Sequence, residues 1–395
     1  MVAYTALSHH LVHVFELSFP AVLLLVALEF DVGLFGLGVL ANVYALTYGL
    51  GALPGGFLAD RLGSKRLTIV TFLGAALATA LVGVSPSVWI LGLALALLGL
   101  ATGLYHPAGF ALISRAIATP GQAMGLHGVA GTLGVAVSPL LSGAIAAALG
   151  WRGLYLVLLV PALLLVLALH TATIIERPVH ATQAAGSAVQ GRWLSALLLL
   201  MIYGVVALTG FMYRGAITFL PTHLSTRLDA SGLDTAVMAG AATSGALLFG
   251  ILGQLCGGWL SDRVTPEKLL VVVPLGLVPG LVGLGLFSGP LVLLGAIVFA
   301  FFIFFQQPLT TLIVARYTPY ANQGSSFGIL FFANFGVGSF AAAFAGRLAE
   351  RSGTGGIFLA LAGMGLAVAV LVGTLLLESR RRAPASVPVA GARAG

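Results

Sequence analysis

Charge is scarce in this chain: Asp, Glu, Lys and Arg make up 7% of its 395 residues, where a soluble domain carries roughly 25%. Eleven acidic and 18 basic side chains cannot cover a water-facing surface of this size. A soluble enzyme is excluded, and so is a disordered chain, which needs few apolar residues and many charges. A single cysteine, Cys256, permits neither an internal disulfide nor a cysteine metal site. No phosphate-binding G-x-x-x-x-G-K-[ST] run occurs, so ATP drive is unsupported. No Ser-His-Asp spacing or facing histidine pair points to a hydrolase or a haem protein. No enzyme activity and no cofactor are expected. The 53 glycines follow no G-X-Y period, which excludes collagen. No Lys or Arg precedes the first apolar segment and no small-residue cleavage site follows it. It reads as a retained helix, not a signal peptide.

What the chain has instead is apolar length. Hydrophobic residues make up 59% of it, in runs near 7–29, 34–58, 67–84, 88–114, 122–148, 153–175, 194–219, 235–259, 268–287, 290–314, 323–347 and 355–377. A bilayer core takes about 20 apolar residues per helix, so twelve crossings are expected. The runs are too long for barrel strands and do not alternate as those strands do. The net charge of +7 is scattered among these runs and reads as a topology signal, not a nucleic-acid patch. With a cytoplasmic N-terminus, one side collects Arg61, Lys65, Arg66, Arg115, Arg177, Arg192, Arg263, Lys268, Arg316 and the Arg380–Arg382 run. The other side keeps only Arg152, Arg227, Arg347 and Arg351. Both termini are therefore expected in the cytoplasm, in an inner membrane. The expected organisation is a six-helix bundle over 1–175, a linker over 176–193, a second six-helix bundle over 194–378 and a disordered basic tail over 379–395. The fold class is all-α, with two pseudo-symmetric halves.

An internal repeat supports those halves. Gly55-Gly56-Phe57-Leu58-Ala59-Asp60-Arg61 returns about half a chain later as Gly257-Gly258-Trp259-Leu260-Ser261-Asp262-Arg263. Gly134-Val135 meets Gly336-Val337 at the same offset, and Pro107 lies one position from register with Pro308. Membrane proteins built this way place a substrate near the midplane between their repeats. The small residues at Gly56 and Gly258 suit close helix packing. Asp60 and Arg61 with Arg115, and Asp262 and Arg263 with Arg316, are expected to form charge latches that hold in one conformation and break in the other.

The run Gly56-x-Leu58-Ala59-Asp60-Arg61-x-Gly63-Ser64-Lys65-Arg66 resembles the loop 2–3 signature of the major facilitator superfamily. The second copy departs from it at Val264 and Thr265. Gly131-x-x-Gly134-x-x-x-Ser138-Pro139-x-x-Ser142-Gly143 is similar to the helix-5 signature of antiporters in that superfamily, with Ser138 where a glycine is usual. Gly103-Leu104-Tyr105-His106-Pro107 followed by Arg115 is similar to the fosmidomycin-resistance branch. The arginine that proton-linked members carry in helix 4 is missing, because 89–104 holds no charge. The resemblance implies a monomeric secondary transporter in the lipid bilayer, with helices 1, 4, 7 and 10 around a central cavity.

Ionisable groups inside a membrane are costly, and each is a functional candidate. His9, His13, Glu16 and Pro20 fall within about a 60° arc of one helix. Tyr105 and His106 stand on helix 4, Tyr203, Tyr213 and Arg214 on helix 7, and Gln306 and Gln307 on helix 10. His13 and Glu16, with these residues of helices 4, 7 and 10, are the expected substrate and proton path. Glu16 is expected to carry a proton shared with His13, and Arg214 to face an anionic substrate or a gate. His9 and His13 lack a specified third ligand, so no metal site is expected. Efflux of a small organic solute, coupled to protons, is the expected activity. An uptake symporter or facilitator for a small anionic metabolite is the alternative, and a membrane sensor or enzyme on the same scaffold is a second one.

Overall fold

The computed structural model describes residues 1–116, 120–175, 192–228, 235–318 and 323–381. The expected linker lies almost entirely outside the described residues, as does the expected tail from residue 382 on. Among the described residues every regular element is helical.

α1 (Val2–Phe30) ends at Asp31, whose left-handed backbone lets its N–H return to the carbonyl of Ala27. α2 (Leu34–Leu62) and α3 (Ser64–Gly83) meet at Gly63. α4 (Val88–Gly103) starts at Ser87, whose side chain accepts from Ile90 N–H. α5 (Tyr105–Ala116) follows after a turn at Leu104. The expected fourth helix is thus broken just ahead of Pro107, which sits in the first turn of α5 as proline tolerates. α6 (Pro120–Thr171), α7 (Arg192–Arg227), α8 (Thr235–Ser261), the short α9 (Pro266–Leu270), α10 (Val272–Leu286) and α11 (Leu291–Tyr317) come next. α12 (Gln323–Phe331) widens into a π-helical segment at Phe332–Val337, then tightens at Gly338–Phe340 and enters α13 (Ala341–Arg381). α13 therefore carries the helix past residue 378, into the expected tail.

Ten helices are long and apolar enough to cross a membrane among the described residues. Two of them, Leu126–Thr171 and Ser326–Ser379, run 46 and 54 residues. At 1.5 Å per residue the shorter would reach about 69 Å, twice the hydrocarbon thickness. Neither is continuous. Gly150 breaks α6 with φ 71° and ψ 169°, and Gly353 breaks α13 with φ 72° and ψ 169°. That region of backbone space is open essentially only to glycine.

Burial is inverted relative to a soluble protein. On α1, Leu28 is 83% exposed while Glu16 is 2% exposed. Trp89, Leu275 and Leu77 stand on the outside, and His9, His106, Thr102 and Arg214 inside. An apolar skin, with the charged and polar groups drawn into the core, fits lipid as the surrounding solvent, and the chain is a multi-pass membrane protein. α1 lies along α6, α8 along both α11 and α6, α7 along α13, and α2 along α4 and α13. The α6–α8 seam is pinned by Leu140 N–H donating to Ser244 Oγ at 3.0 Å and by a hydrogen bond between Thr132 and Gln254. On the α2–α13 seam, Phe35 N–H donates to Glu350 Oε1 at 2.9 Å, a carboxylate at a helix N-terminus.

Candidate functional site

The site is built on the inner face of α1. Spacings of four and three residues put His9, His13 and Glu16 on consecutive turns. His13 Nδ1 lies 2.5 Å from Glu16 Oε2, and His13 Nε2 lies 3.1 Å from His9 Nε2. His9 Nδ1 is 2.7 Å from the carbonyl oxygen of His127 on α6. The His9 and His127 rings stack at 4.0 Å. Gly131, one turn on from His127, permits this packing: a Cβ there would fall on the His9 ring. The helix-5 glycine run thus lines the back of the histidine ladder, and Ser138 extends it by donating to the carbonyl of Val14 at 2.9 Å.

From the other half of the chain, Arg214 on α7 donates from Nη2 to Glu16 Oε1 at 2.7 Å. Arg214 is 3% exposed, and its guanidinium lies 5.8 Å from the rings of both Tyr213 and Phe335. Each oxygen of Glu16 therefore has a cationic or hydrogen-bonding partner, as a buried carboxylate requires. His106 closes the site. Its Nε2 is 2.6 Å from Tyr48 Oη, its ring stacks on Phe331 and Phe335, and its Nδ1 is buried without a partner. A cavity of about 430 Å³ opens between α1, α6, α7 and α8, lined by Pro20, Leu24, Ala146, Pro221 and Ala239. It begins one turn beyond Glu16 and is mainly apolar.

The structure brings His13, Glu16, His106, Tyr213 and Arg214 together. Gln306 is buried, with Oε1 unpartnered. Gln307 is exposed, and its carbonyl accepts from Thr310 and Thr311. Neighbouring helix positions differ by 100°, so both glutamines cannot face inward. Tyr105 is buried but spends its hydroxyl on the carbonyl of Thr5 at 2.6 Å, bracing α1. Tyr203 donates to the carbonyl of Ser326 at 3.3 Å, between α7 and α12.

The expected charge latches are partly in view. The side chains of Asp60 and Arg115 lie outside the described ones. In the second copy, Arg316 pairs not with Asp262 but with Glu267, at 3.2 Å to each oxygen. Tyr317 donates to the same carboxylate at 2.8 Å. Burial, and then this carboxylate, push the Tyr317 hydroxyl above the usual phenol range, so it stays a donor. The turn before Pro266 carries the chain away after Asp262, leaving that side chain exposed, while α9 turns Glu267 inward. Arg61 and Arg263 each lie over an aromatic ring four residues back, Phe57 at 4.1 Å and Trp259 at 3.8 Å. The close-packing glycine of each pair is the first: Gly55 faces Pro107 and Gly257 faces the Phe305 carbonyl, while Gly56 and Gly258 face open space.

Sequence reasoning did not single out Tyr48, Phe335, Glu267 or His127 as site residues. Tyr48 and Phe335 look like ordinary apolar-run aromatics. Glu267 falls outside the repeated motif, although its place near the buried start of an apolar run is a signal.

The Major Facilitator Superfamily model matches residues 10–343. The chain is 30% identical over 247 residues to the "Probable sulfoacetate transporter SauU" of Cupriavidus necator, covering 58% of this chain and 56% of that one. It is 27% identical over 244 residues to the "Probable L-galactonate transporter" of Escherichia coli, covering 57% and 53%. These matches span about half the length of the relatives. Among solved structures, the D-xylose–proton symporter superposes with a TM-score of 0.80 at 17% identity, covering 94% of this chain and 96% of that one. With the family model spanning most of its length, the chain belongs to the Major Facilitator Superfamily.

Proposed function

We propose that this protein is a secondary transporter that moves a small organic anion by alternating access. The observation that carries the reading is the buried Arg214–Glu16 pair, which joins α7 to α1. Two charges buried in a low-dielectric interior persist only while each has a partner. An incoming carboxylate or sulfonate offers Arg214 a second anion. Once it takes the guanidinium, Glu16 needs another counter-charge, and His13 is already in contact with it. A proton carried with the substrate supplies that charge, so Glu16 is the coupling group in this reading. The names of the two curated relatives refer to sulfoacetate and L-galactonate, both anions, and support the same substrate class.

In this reading the breaks at Gly150 and Gly353 turn ten apolar helices into twelve crossings. They form two six-helix halves, 1–175 and 194–378, with both termini on the cytoplasmic side of an inner membrane by their Lys and Arg. The halves rock about the pair, one copy of the chain sufficing. The protein works as a transporter rather than as an enzyme or sensor. Uptake with a proton is the direction that the Arg214–Glu16 pair favours.

Proton-coupled efflux is the second reading. The resemblance of the glycine and serine run of α6 to an antiporter signature favours it, as does a 28% identical relative named multidrug resistance protein MdtG.

The test is flux in proteoliposomes. Radiolabelled sulfoacetate, galactonate and a neutral sugar are offered under an imposed pH gradient, in vesicles of known protein orientation. Accumulation of an anion, driven by an inward proton gradient and absent for the sugar, is expected. Anion-independent export of neutral or cationic drugs would overturn the anion reading in favour of efflux.

A further inference from the structure

We infer that His9, His13 and His106 form a binding site for one divalent transition-metal ion, zinc being the best-matched chemistry. Each of the three brings a ring nitrogen within 4.8 Å of the others. Sequence spacing specifies the first two ligands. The third comes from α5, and only the fold supplies it.

The hydrogen bonds fix where the lone pairs point. A backbone carbonyl only accepts, so His9 Nδ1, at 2.7 Å from the His127 oxygen, carries the hydrogen. An ionised carboxylate also only accepts, so His13 Nδ1 carries its hydrogen toward Glu16. With both rings neutral, the two Nε2 atoms are acceptors, and they face one another at 3.1 Å. Two lone pairs hold that separation only with a cation between them, a proton or a metal ion. Two imidazoles bound to one tetrahedral zinc ion stand about 3.3 Å apart, from zinc–nitrogen bonds of 2.0–2.1 Å. His106, 3% exposed, has its Nε2 engaged by Tyr48 and keeps Nδ1 buried without a partner.

The surroundings are those of a ligand set. Glu16 behind His13, and the His127 carbonyl behind His9, are the outer hydrogen-bond acceptors that orient metal-bound imidazoles and raise their basicity. Three neutral nitrogens suit zinc, cobalt and nickel over magnesium and calcium, which take oxygen. Three protein ligands leave a fourth position open to water or an anion. An ion held here ties α1 to α5.

The test uses the full chain, purified in detergent without a histidine tag and stripped with a chelator. Titration calorimetry with Zn²⁺ should show one saturable site per chain, and Mg²⁺ should give none. X-ray absorption of the zinc-loaded protein should show three imidazole nitrogens. Co²⁺ should give the intense visible absorption of a four-coordinate ion. His13→Gln and His106→Gln should each weaken zinc binding at least about tenfold, while His170→Gln and His223→Gln should not. Thermal unfolding of each variant reports whether it is folded, and the absorption spectrum of the unaltered chain stands whether or not a variant folds. No saturable zinc binding, fewer than three nitrogen ligands, or binding unchanged in a folded His13→Gln protein would overturn the inference.

Discussion

Arg214 and Glu16 lie 198 positions apart in the chain, yet their side chains meet at 2.7 Å inside the helical bundle. One group comes from each half, and both are buried. The pair thus joins α7 to α1, and its strength depends on both charges being present.

Glu16→Gln leaves Arg214 buried without its counter-charge. Removing one partner of such a pair costs about 3–5 kcal/mol, so the variant should unfold at a lower temperature in detergent. Gradient-driven accumulation should disappear, while exchange of labelled for unlabelled substrate across the membrane persists. Equal gradient-driven rates in variant and parent would remove Glu16 from coupling.

Glu16→Gln combined with Arg214→Gln removes both charges. Neutral partners avoid the uncompensated charge of either single variant, so the double variant should regain much of the lost thermal stability. It should still fail to bind anions. A double-mutant cycle with no coupling energy would show that the two residues act independently.

Glu267→Gln should destabilise the end of the bundle that carries Arg316, because a carboxylate shared by Arg316 and Tyr317 becomes a weaker acceptor. The expected loss is about 1–3 kcal/mol. Asp262→Asn, on an exposed side chain, should change stability by no more than about 0.5 kcal/mol. Thermal unfolding of the two variants side by side decides between Glu267 and Asp262 as the partner of Arg316.

Gly150→Ala and Gly353→Ala should each cost at least about 1 kcal/mol, because the native backbone at both positions is strained for any Cβ. Gly245→Ala, inside α8 and facing open space, is the control. It should be neutral or slightly stabilising, since alanine is the better helix former. Equal effects at all three positions would mean that the breaks are not held by backbone geometry.

Much of the helix pattern was legible because a bilayer imposes a length and the apolar runs obey it. The α1 ladder was legible too, because spacings of three and four residues place His9, His13 and Glu16 on one face whatever surrounds them. Pairings between helices were not. Nothing near Arg214 in sequence names Glu16, and nothing near His106 names Tyr48 or Phe335. The π-helical turn at Phe332–Val337 leaves no mark in an apolar run, although it brings Phe335 against both Arg214 and His106. The repeated Gly-Gly-x-Leu-x-Asp-Arg motif pointed to Asp262, whereas in this structure Arg316 meets Glu267, which lies outside the motif. Both copies lay the motif's arginine on the aromatic ring four residues back.

The matching breaks at Gly150 and Gly353 bear on ancestry. If one gene segment was duplicated to make this chain, each copy inherited a corner that no other amino acid fits comfortably, while the loops between helices remained free to drift. Alignments of the two segments are therefore better anchored on these corners than on the charged loop, whose sequence differs between the copies at Val264 and Thr265.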